Sequence, residues 1–364
     1  MNVLMTCGGT GGHIYPAIAI ADKIKEHHPD ANILFIGTKK GMENNLVPAA
    51  GYDIKGIDAA GLDRHNMLNN VHTIHTVIKG AKEAVAIMKE FQPDVAIGTG
   101  GYVTGTVIMQ ASRMGVPCYI HEQNAVVGVT NKMLEHYAKK IFISFESSAS
   151  QFRHPENTVL TGNPIRSAFK VLEKAECRQT LGFSEDEKII LVFGGSLGAE
   201  IINRAAFKLS CKIAQDGIKL IFVTGKRYYD EVLSWYEDAG GVPGSTVLMA
   251  YADNMPQLMC ASDLAVSRAG AIAVSEITAC GKPSILIPSP NVTNNHQYHN
   301  AKAVADSGAA MLLEEKNIIA DEDLFADGVL KLMEDGEKLA SMSEAARRIA
   351  KLNAADLIYE NLNI

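Results

Sequence analysis

His13 closes a glycine run, Gly8-Gly9-Thr10-Gly11-Gly12, that follows directly on the apolar stretch Val3–Cys7. An imidazole there can take a proton from a substrate hydroxyl or bind a phosphate; both readings stay open. A second run, Gly194-Gly195-Ser196-Leu197-Gly198-Ala199, follows the apolar Ile189–Phe193, so that Gly8, Gly9, Thr10 and Gly12 fall on Gly194, Gly195, Ser196 and Gly198. Glycine turns that open helices expose backbone N–H groups, and such ends attract anions, a nucleotide diphosphate among them. One turn alone is explained by a tight strand-to-helix connection. Two in matching places, each with a hydroxyl at Thr10 or Ser196, point to phosphates or sugars without choosing between them.

Spacing excludes the commoner nucleotide chemistries. A dinucleotide fingerprint requires Gly-x-Gly-x-x-Gly and an acid some 20 residues on. Counted from Gly9 its third glycine falls on Ile14, the second run has Leu197 at the middle glycine, and the second strand ends Ile36-Gly37-Thr38 without an acid. No Gly-Lys-Ser/Thr follows either turn, so there is no P-loop. Asp321-Glu322-Asp323 is the sole Asp-x-Asp; it precedes a helical pattern and reads as a solvated helix start. Neither a metal nor a cofactor is expected.

Around each turn apolar runs alternate with amphipathic patterns. The first turn leads into Ala17, Ile20, Ala21 and Ile24, the spacing of a helix with one buried face. Strands are expected at Asn32–Gly37, Asp94–Gly98, Pro117–His121 and Ile141–Ser144, then at Lys219–Gly225, Thr246–Met249, Asp263–Ser267 and Pro283–Pro288. Strands alternating with helices imply an α/β chain of parallel sheets, with ligands at the carboxyl ends of the strands. A chain of 364 residues suits two domains. Thr161-Gly162-Asn163-Pro164 breaks both periodicities and sets the boundary near residue 163.

The net charge is −7, and the whole excess lies beyond residue 160, which argues against nucleic acid as a partner. Six scattered cysteines without a Cys-x-x-Cys pair read as reduced thiols of a cytosolic protein. The start of the chain lacks the pattern of a secretory signal, and no run reaches the ~18 apolar residues of a membrane span. Any membrane contact would therefore be at the surface. A helix over residues 65–90 would put Val71, Ile74, Val77, Ile78, Ala81, Val85 and Met88 on one face, with His65, His72, His75, Lys79 and Lys82 along its edge. Most of that face is expected to pack on its own domain, with the exposed end and basic edge meeting anionic lipid.

Longer strings carry a resemblance. Gly8-Gly-Thr-Gly-Gly-His13, Gly98-Thr-Gly-Gly-Tyr102 and His121-Glu-Gln-Asn-Ala125 come first. Gly194-Gly-Ser-Leu-Gly-Ala199, Arg268-Ala-Gly-Ala271 with Ser275-Glu276, and Asn294-Asn-His-Gln297 follow. In this order and spacing, over essentially the whole chain, they resemble the MurG family. These are the UDP-N-acetylglucosamine:undecaprenyl-diphospho-muramoylpentapeptide N-acetylglucosaminyltransferases. The resemblance implies a GT-B fold, two Rossmann-like domains with parallel sheets facing a cleft. Residues 1–163 would bind the acceptor, lipid I, and residues 164–345 the donor, UDP-N-acetylglucosamine (UDP-GlcNAc). A final helix of about 346–364 would rejoin the first domain. The implied reaction is inverting transfer of N-acetylglucosamine to lipid I, giving lipid II for peptidoglycan. It would run at the cytoplasmic face of the cell membrane, with an anionic membrane surface and cell-wall synthesis proteins as further partners.

The resemblance also implies roles. On the donor side Glu276 would take the ribose hydroxyls, and the N–H groups of Ala271, Ile272 and Ala273 would face the diphosphate, helped by Ser196. Tyr251–Ala252 would bracket the uracil, Arg166 would contact the nucleotide, and Gln297 would read the sugar hydroxyls. Asn124 would reach the sugar from the other domain. Thr10, Gly11, Gly12 and Tyr102 would line the acceptor pocket, with Glu122 orienting or replacing His13 as base and His121 only packing. The chain departs from the family where Ala273 stands for a frequent Thr, removing a hydroxyl near the diphosphate, and where Val127 stands for a common Pro. Two rival readings share this plan. A UDP-GlcNAc 2-epimerase would need no lipid acceptor, and His121-Glu-Gln-Asn-Ala125 does not suit it. A non-catalytic, membrane-docked sugar-nucleotide sensor would need only the donor half.

Overall fold

The computed structural model describes residues 1–61, 70–169, 172–195, 197–215, 217–321 and 323–364. Two compact units divide the chain, Met1–Ile165 with Lys351–Ile364, and Arg166–Ala350. The strands of the first unit are β1 Asn2–Cys7, β2 Asn32–Thr38, β3 Asp53–Ile57, β4 Val95–Gly100, β5 Cys118–Glu122, β6 Lys140–Ile143 and β7 Thr158–Leu160. They form one parallel sheet in the order β3-β2-β1-β4-β5-β6-β7. Helices α1 Gly11–His27, α2 Glu43–Ala49, α3 Asn70–Phe91, α4 Tyr102–Arg113 and α5 Val129–Leu134 connect them.

The second unit repeats the plan. Its strands are β8 Lys188–Phe193, β9 Ile218–Val223, β10 Thr246–Met249, β11 Leu264–Ser267, β12 Ser284–Leu286 and β13 Ala310–Leu312, in the order β10-β9-β8-β11-β12-β13. Helices α6 Lys174–Leu181, α7 Glu200–Lys212, α8 Tyr229–Asp238, α9 Met255–Ala261 and α10 Ala271–Ala279 come first. They are followed by α11 His296–Asp306, α12 Glu315–Ala320, α13 Leu324–Glu334 and α14 Gly336–Ile349. The last helix, α15 Ala354–Asn361, returns to the first unit.

Central strands read as unbroken apolar runs because helices cover both faces of a parallel sheet. Val3, Leu4 and Met5 of β1, and Ile190, Leu191 and Val192 of β8, are fully buried. Ala17, Ile20, Ala21 and Ile24 of α1 form the buried stripe that their spacing implies. In both sheets the strand order reverses at the first strand, between β1 and β4 and between β8 and β11. Such switch points open a crevice at the carboxyl ends of the strands. Both glycine turns stand there.

Three strands that the apolar runs do not announce, β3, β7 and β13, all lie at sheet edges. An edge strand is half-wet and short, so its burial alternates instead of running continuously, as the exposed Asp53 and Lys55 of β3 illustrate. The end of the chain also corrects an expectation. No single helix spans 346–364: α14 stops at Ile349, Ala350 is extended, and helix resumes at Ala354. The break has a packing cause, since Ala346 is buried within the second unit and Ile358 within the core of the first. Tyr359 stacks on His27 at 4.1 Å and Lys23 pairs with Asp356 at 2.8 Å, so α15 is an integral layer of the first unit.

Candidate active site

The first glycine turn is built by interlocking with a second. Gly8 N–H donates to the Gly100 carbonyl at 3.2 Å, and a Cβ on Gly101 would lie 2.5 Å from the Gly8 oxygen. Gly100, at φ +122°, is confined to glycine for a further reason: a Cβ there would stand 2.6 Å from the His13 ring. Thr10 is the N-cap of α1, so the N–H groups of Thr10, Gly11 and Gly12 lie at the open end of a helix. Tyr102, 68% exposed, begins α4 beside this turn.

His13 Nδ1 lies 2.9 Å from the Gly8 carbonyl oxygen. A carbonyl only accepts, so the neutral ring carries its proton on Nδ1 and presents a lone pair at Nε2. Thr99 Oγ1 donates to the His13 carbonyl at 2.7 Å and holds the first turn of α1 against β4. His121 ends up differently. Burial pushes it down to about 4, a carbonyl accepts from its Nε2 at 3.0 Å (that of Gly162), and the Gln123 amide donates to Nδ1 at 3.0 Å. It is a neutral, packed histidine.

Of the two expectations for Glu122, orienting His13 and replacing it as base, the structure corrects the first. Glu122 makes no bond to His13: one oxygen accepts from Asn124 N–H at 3.0 Å and Asn124 Nδ2 at 3.2 Å, the other from Gly128 N–H and Asn131 Nδ2 at 2.9 Å each. With four donors and 2% exposure, this carboxylate organises the loop after β5. Asn124 is held in place by that same bond. The Val127 departure is accommodated nearby, where its N–H donates to Gln151 Oε1 at 3.0 Å, a bond that proline would forfeit.

In the second unit the glycine turn is again sterically required. A Cβ on Gly194 would lie 2.4 Å from Ala199 N, and one on Gly198, at φ +77°, 2.1 Å from the Thr224 oxygen. Ser196 falls outside the described residues. Gly270 caps α10, whose first intrahelical bond runs from Val274 N–H to the Gly270 carbonyl. The N–H groups of Ala271, Ile272 and Ala273 therefore stand at the open, positive end of the helix. Arg268 secures the approach through the Ile287 carbonyl and Glu315.

Glu276 lies one turn further along α10, its side chain 12% exposed and 3.4 Å from Arg166. Burial lifts its carboxyl to about 7, against the opposing pull of the Arg166 guanidinium. A buried acceptor of this kind suits a diol, whose two hydroxyls would replace the lost water. Gln297 stands in the first turn of α11, which follows two left-handed asparagines, Asn294 and Asn295. Its Oε1 accepts from Ser289 N–H at 2.9 Å, and its NH₂ group is the edge able to donate. Ala252 is buried beside Tyr251, whose ring carries Lys226 at 4.8 Å.

Within the first unit, then, Thr10, Gly11, Gly12, His13 and Tyr102 cluster at the ends of β1 and β4, with Asn124 after β5. Within the second, Ala271–Ala273, Glu276 and Arg166 cluster at the end of β11, with Gln297 beyond β12 and Ala252 beyond β10. The Asp321-Glu322-Asp323 run is a solvated helix start where it is described: Asp323 pairs with Lys212 at 2.7 Å. Sequence reasoning missed Glu43. A lone acid at a helix start gives no signal, yet it is buried directly beneath the first turn.

Comparison with known proteins adds to this geometry. Residues 3–143 match the glycosyltransferase family 28 N-terminal domain, and residues 189–360 the C-terminal domain of that family. A UDP-N-acetylglucosamine–N-acetylmuramyl-(pentapeptide) pyrophosphoryl-undecaprenol N-acetylglucosamine transferase of Clostridioides difficile is 42% identical over 364 residues, covering 100% of this chain and 88% of the relative. The corresponding transferase of Thermoanaerobacter is 43% identical over 361 residues, covering 99% and 98%. Among solved structures, Acinetobacter baumannii MurG superposes with a TM-score of 0.77 at 26% identity, covering 99% and 98%. A UDP-GlcNAc 2-epimerase from Neisseria meningitidis reaches 0.68 at 18% identity over 99% of both chains, a likeness of fold alone.

Proposed function

The chain belongs to the glycosyltransferase family 28 enzymes named for N-acetylglucosamine transfer to pyrophosphoryl-undecaprenol acceptors, and on that footing we propose how its residues share the reaction. It transfers N-acetylglucosamine from UDP-GlcNAc to lipid I, giving lipid II for peptidoglycan. The observation that carries this reading is identity above 40% sustained from end to end, with a motif residue at each strand end that the chemistry needs.

The first unit takes the acceptor. Its sugar hydroxyl attacks the anomeric carbon of the donor from the side opposite the diphosphate, so the new bond forms with inversion as the carbon–oxygen bond to UDP breaks. The hydroxyl proton goes to His13 Nε2, whose lone pair is supported by the bond from Nδ1 to the Gly8 carbonyl. Thr10, Gly11, Gly12 and Tyr102 line the acceptor's place. The second unit takes the donor. Negative charge develops on the diphosphate, where the N–H groups of Ala271, Ile272 and Ala273 and the Ser196 hydroxyl receive it. Glu276 accepts from the ribose hydroxyls, Arg166 steadies Glu276 and the nucleotide, Ala252 borders the uracil, and Gln297 donates to the sugar.

The enzyme works peripherally on the cytoplasmic face of the cell membrane. No helix among the described residues is long and apolar enough to cross one. The reading is supported by α3, where Ile74 and Ile78 are 51% and 52% exposed while Ala84 and Met88 are buried. Of the basic edge, His75, Lys79 and Lys82 are described, and Lys79 is engaged by Asp58 at 2.6 Å. His65 and the side chain of His72 lie outside the described residues.

A direct assay tests the whole reading. Purified protein with UDP-GlcNAc should release UDP only when a lipid I analogue is added, and the product should carry one more β-1,4-linked N-acetylglucosamine. Epimerised donor in the absence of acceptor, with no transfer in its presence, would overturn it in favour of the epimerase.

A further inference from the structure

Glu43 opens α2 and is fully buried, yet among the described residues no Lys or Arg pairs with it. Its carboxylate is held by uncharged donors. One oxygen accepts from Thr38 N–H at 2.8 Å and from Thr38 Oγ1 at 2.7 Å; the other accepts from Gly9 N–H at 3.3 Å. Three glycines leave it room. A Cβ would come within 3.0 Å of the carboxylate from Gly8 and 2.1 Å from Gly41, and within 2.6 Å of Cγ from Gly37. Burying an unpaired charge is costly, so a site shaped around one calls for a reason.

The reason lies in one peptide plane. Gly9 N–H and Gly8 C=O belong to the same peptide unit, and a trans peptide points them in opposite directions. Glu43 therefore holds one end of that unit while His13 Nδ1–H donates to the other at 2.9 Å. We propose that Glu43 is a positioning residue for the transfer, acting on His13 through the Gly8–Gly9 peptide: carboxylate, N–H, C=O, Nδ1–H. By accepting at Gly9 it fixes the plane, sets the tautomer of His13 and polarises the carbonyl that receives the imidazole proton. It also takes Gly9 N–H out of service, leaving Thr10, Gly11 and Gly12 as the amides that meet substrate. The inference rests on the assignment of His13 as the base.

The experiment is a double-mutant cycle on the full chain, with transfer to a lipid I analogue as readout. Glu43→Gln keeps the shape and still accepts from Thr38, but turns an NH₂ group toward Gly9 N–H. It should lower kcat about tenfold and leave the KM for UDP-GlcNAc within about twofold of the parent. In a His13→Ala background the same change should alter kcat by less than about twofold, because the relay has lost its end. Equal losses in both backgrounds, or an unchanged kcat in the single variant, would overturn the proposal. A wild-type measurement keeps it testable if Glu43→Gln does not fold. The ¹⁵N shifts of the His13 imidazole, assigned against His13→Ala, should report the Nδ1–H tautomer, and an Nε2–H tautomer would refute the relay. Failure of the wild type to transfer at all would instead strike the assigned reaction.

Discussion

Replacing Glu276 with Gln should make the protein more stable above neutrality while it damages donor binding. Burial raises this carboxyl from an ordinary 4.5 to about 7. Between those values the folded chain holds a proton that the unfolded chain has lost, so stability declines as pH rises from about 4.5 to about 7 and stays lowered beyond. A gap of roughly two and a half units at ~1.36 kcal/mol each sets a ceiling of about 3 kcal/mol, and relaxation around the charge should reduce it to about 2. The side chain is only 12% exposed, so solvent screens little of this. Gln carries no charge and escapes the penalty. For a unit of this size ~1 kcal/mol shifts Tm by about 2–4 °C, so the variant should melt roughly 4–8 °C higher at pH 8 and within about 1 °C of the parent at pH 4.5. Trp235, the sole tryptophan, sits on α8 of the second unit, so its fluorescence follows the unfolding of the unit concerned. UDP binding by calorimetry should weaken about 10- to 150-fold, the worth of charge-assisted bonds to the ribose. In the parent the affinity should also fall below pH 7, as protonation removes the acceptor, by an amount absent from the variant. Equal melting of the two proteins at pH 8, or a less stable variant there, would refute the reasoning that this charge is held at a cost for the sake of the ligand.

Further outcomes follow from the other groups. His13→Ala should lower kcat by about 10² or more with a smaller change in acceptor KM; unchanged turnover at saturating acceptor would make His13 a binding residue only. Glu122→Ala should cost about 2 kcal/mol, because one buried donor, of Asn131, and three part-buried ones, of Asn124 and Gly128, lose their acceptor, and thermal unfolding by circular dichroism will show it. A loss of 10² in kcat at unchanged stability would mark Glu122 as a catalytic group. Ile74→Ser with Ile78→Ser should weaken sedimentation with anionic vesicles about 30-fold at unchanged Tm, since each side chain is half-exposed and has about 1 kcal/mol of burial to gain. Equal sedimentation of parent and variant would place the membrane contact elsewhere.

Much of this molecule is legible in its residues. The two parallel sheets follow from apolar runs alternating with helical periodicity, because a strand covered on both faces admits no polar side chain. The glycine turns are equally visible, since backbones that must approach within a Cβ radius, as Gly100 does His13 and Gly198 does Thr224, leave no alternative residue. Family motifs then supplied roles that spacing alone left open. What stayed hidden is of another kind. The edge strands β3, β7 and β13 are short and half-wet, so they carry no continuous apolar signal. The break between α14 and α15 depends on which core buries Ala346 and which buries Ile358. Carboxylates hid most completely. Glu43, Glu122 and Glu276 are the same residue type in sequence, and only their neighbours separate a support for a turn, an organiser of a loop and a buried carboxyl beside an arginine. Local sequence determines where backbone direction changes, because that is a property of a few adjacent residues. The work that a charge does is decided by donors brought from distant segments and by the water they exclude, and those exist only once the chain has folded.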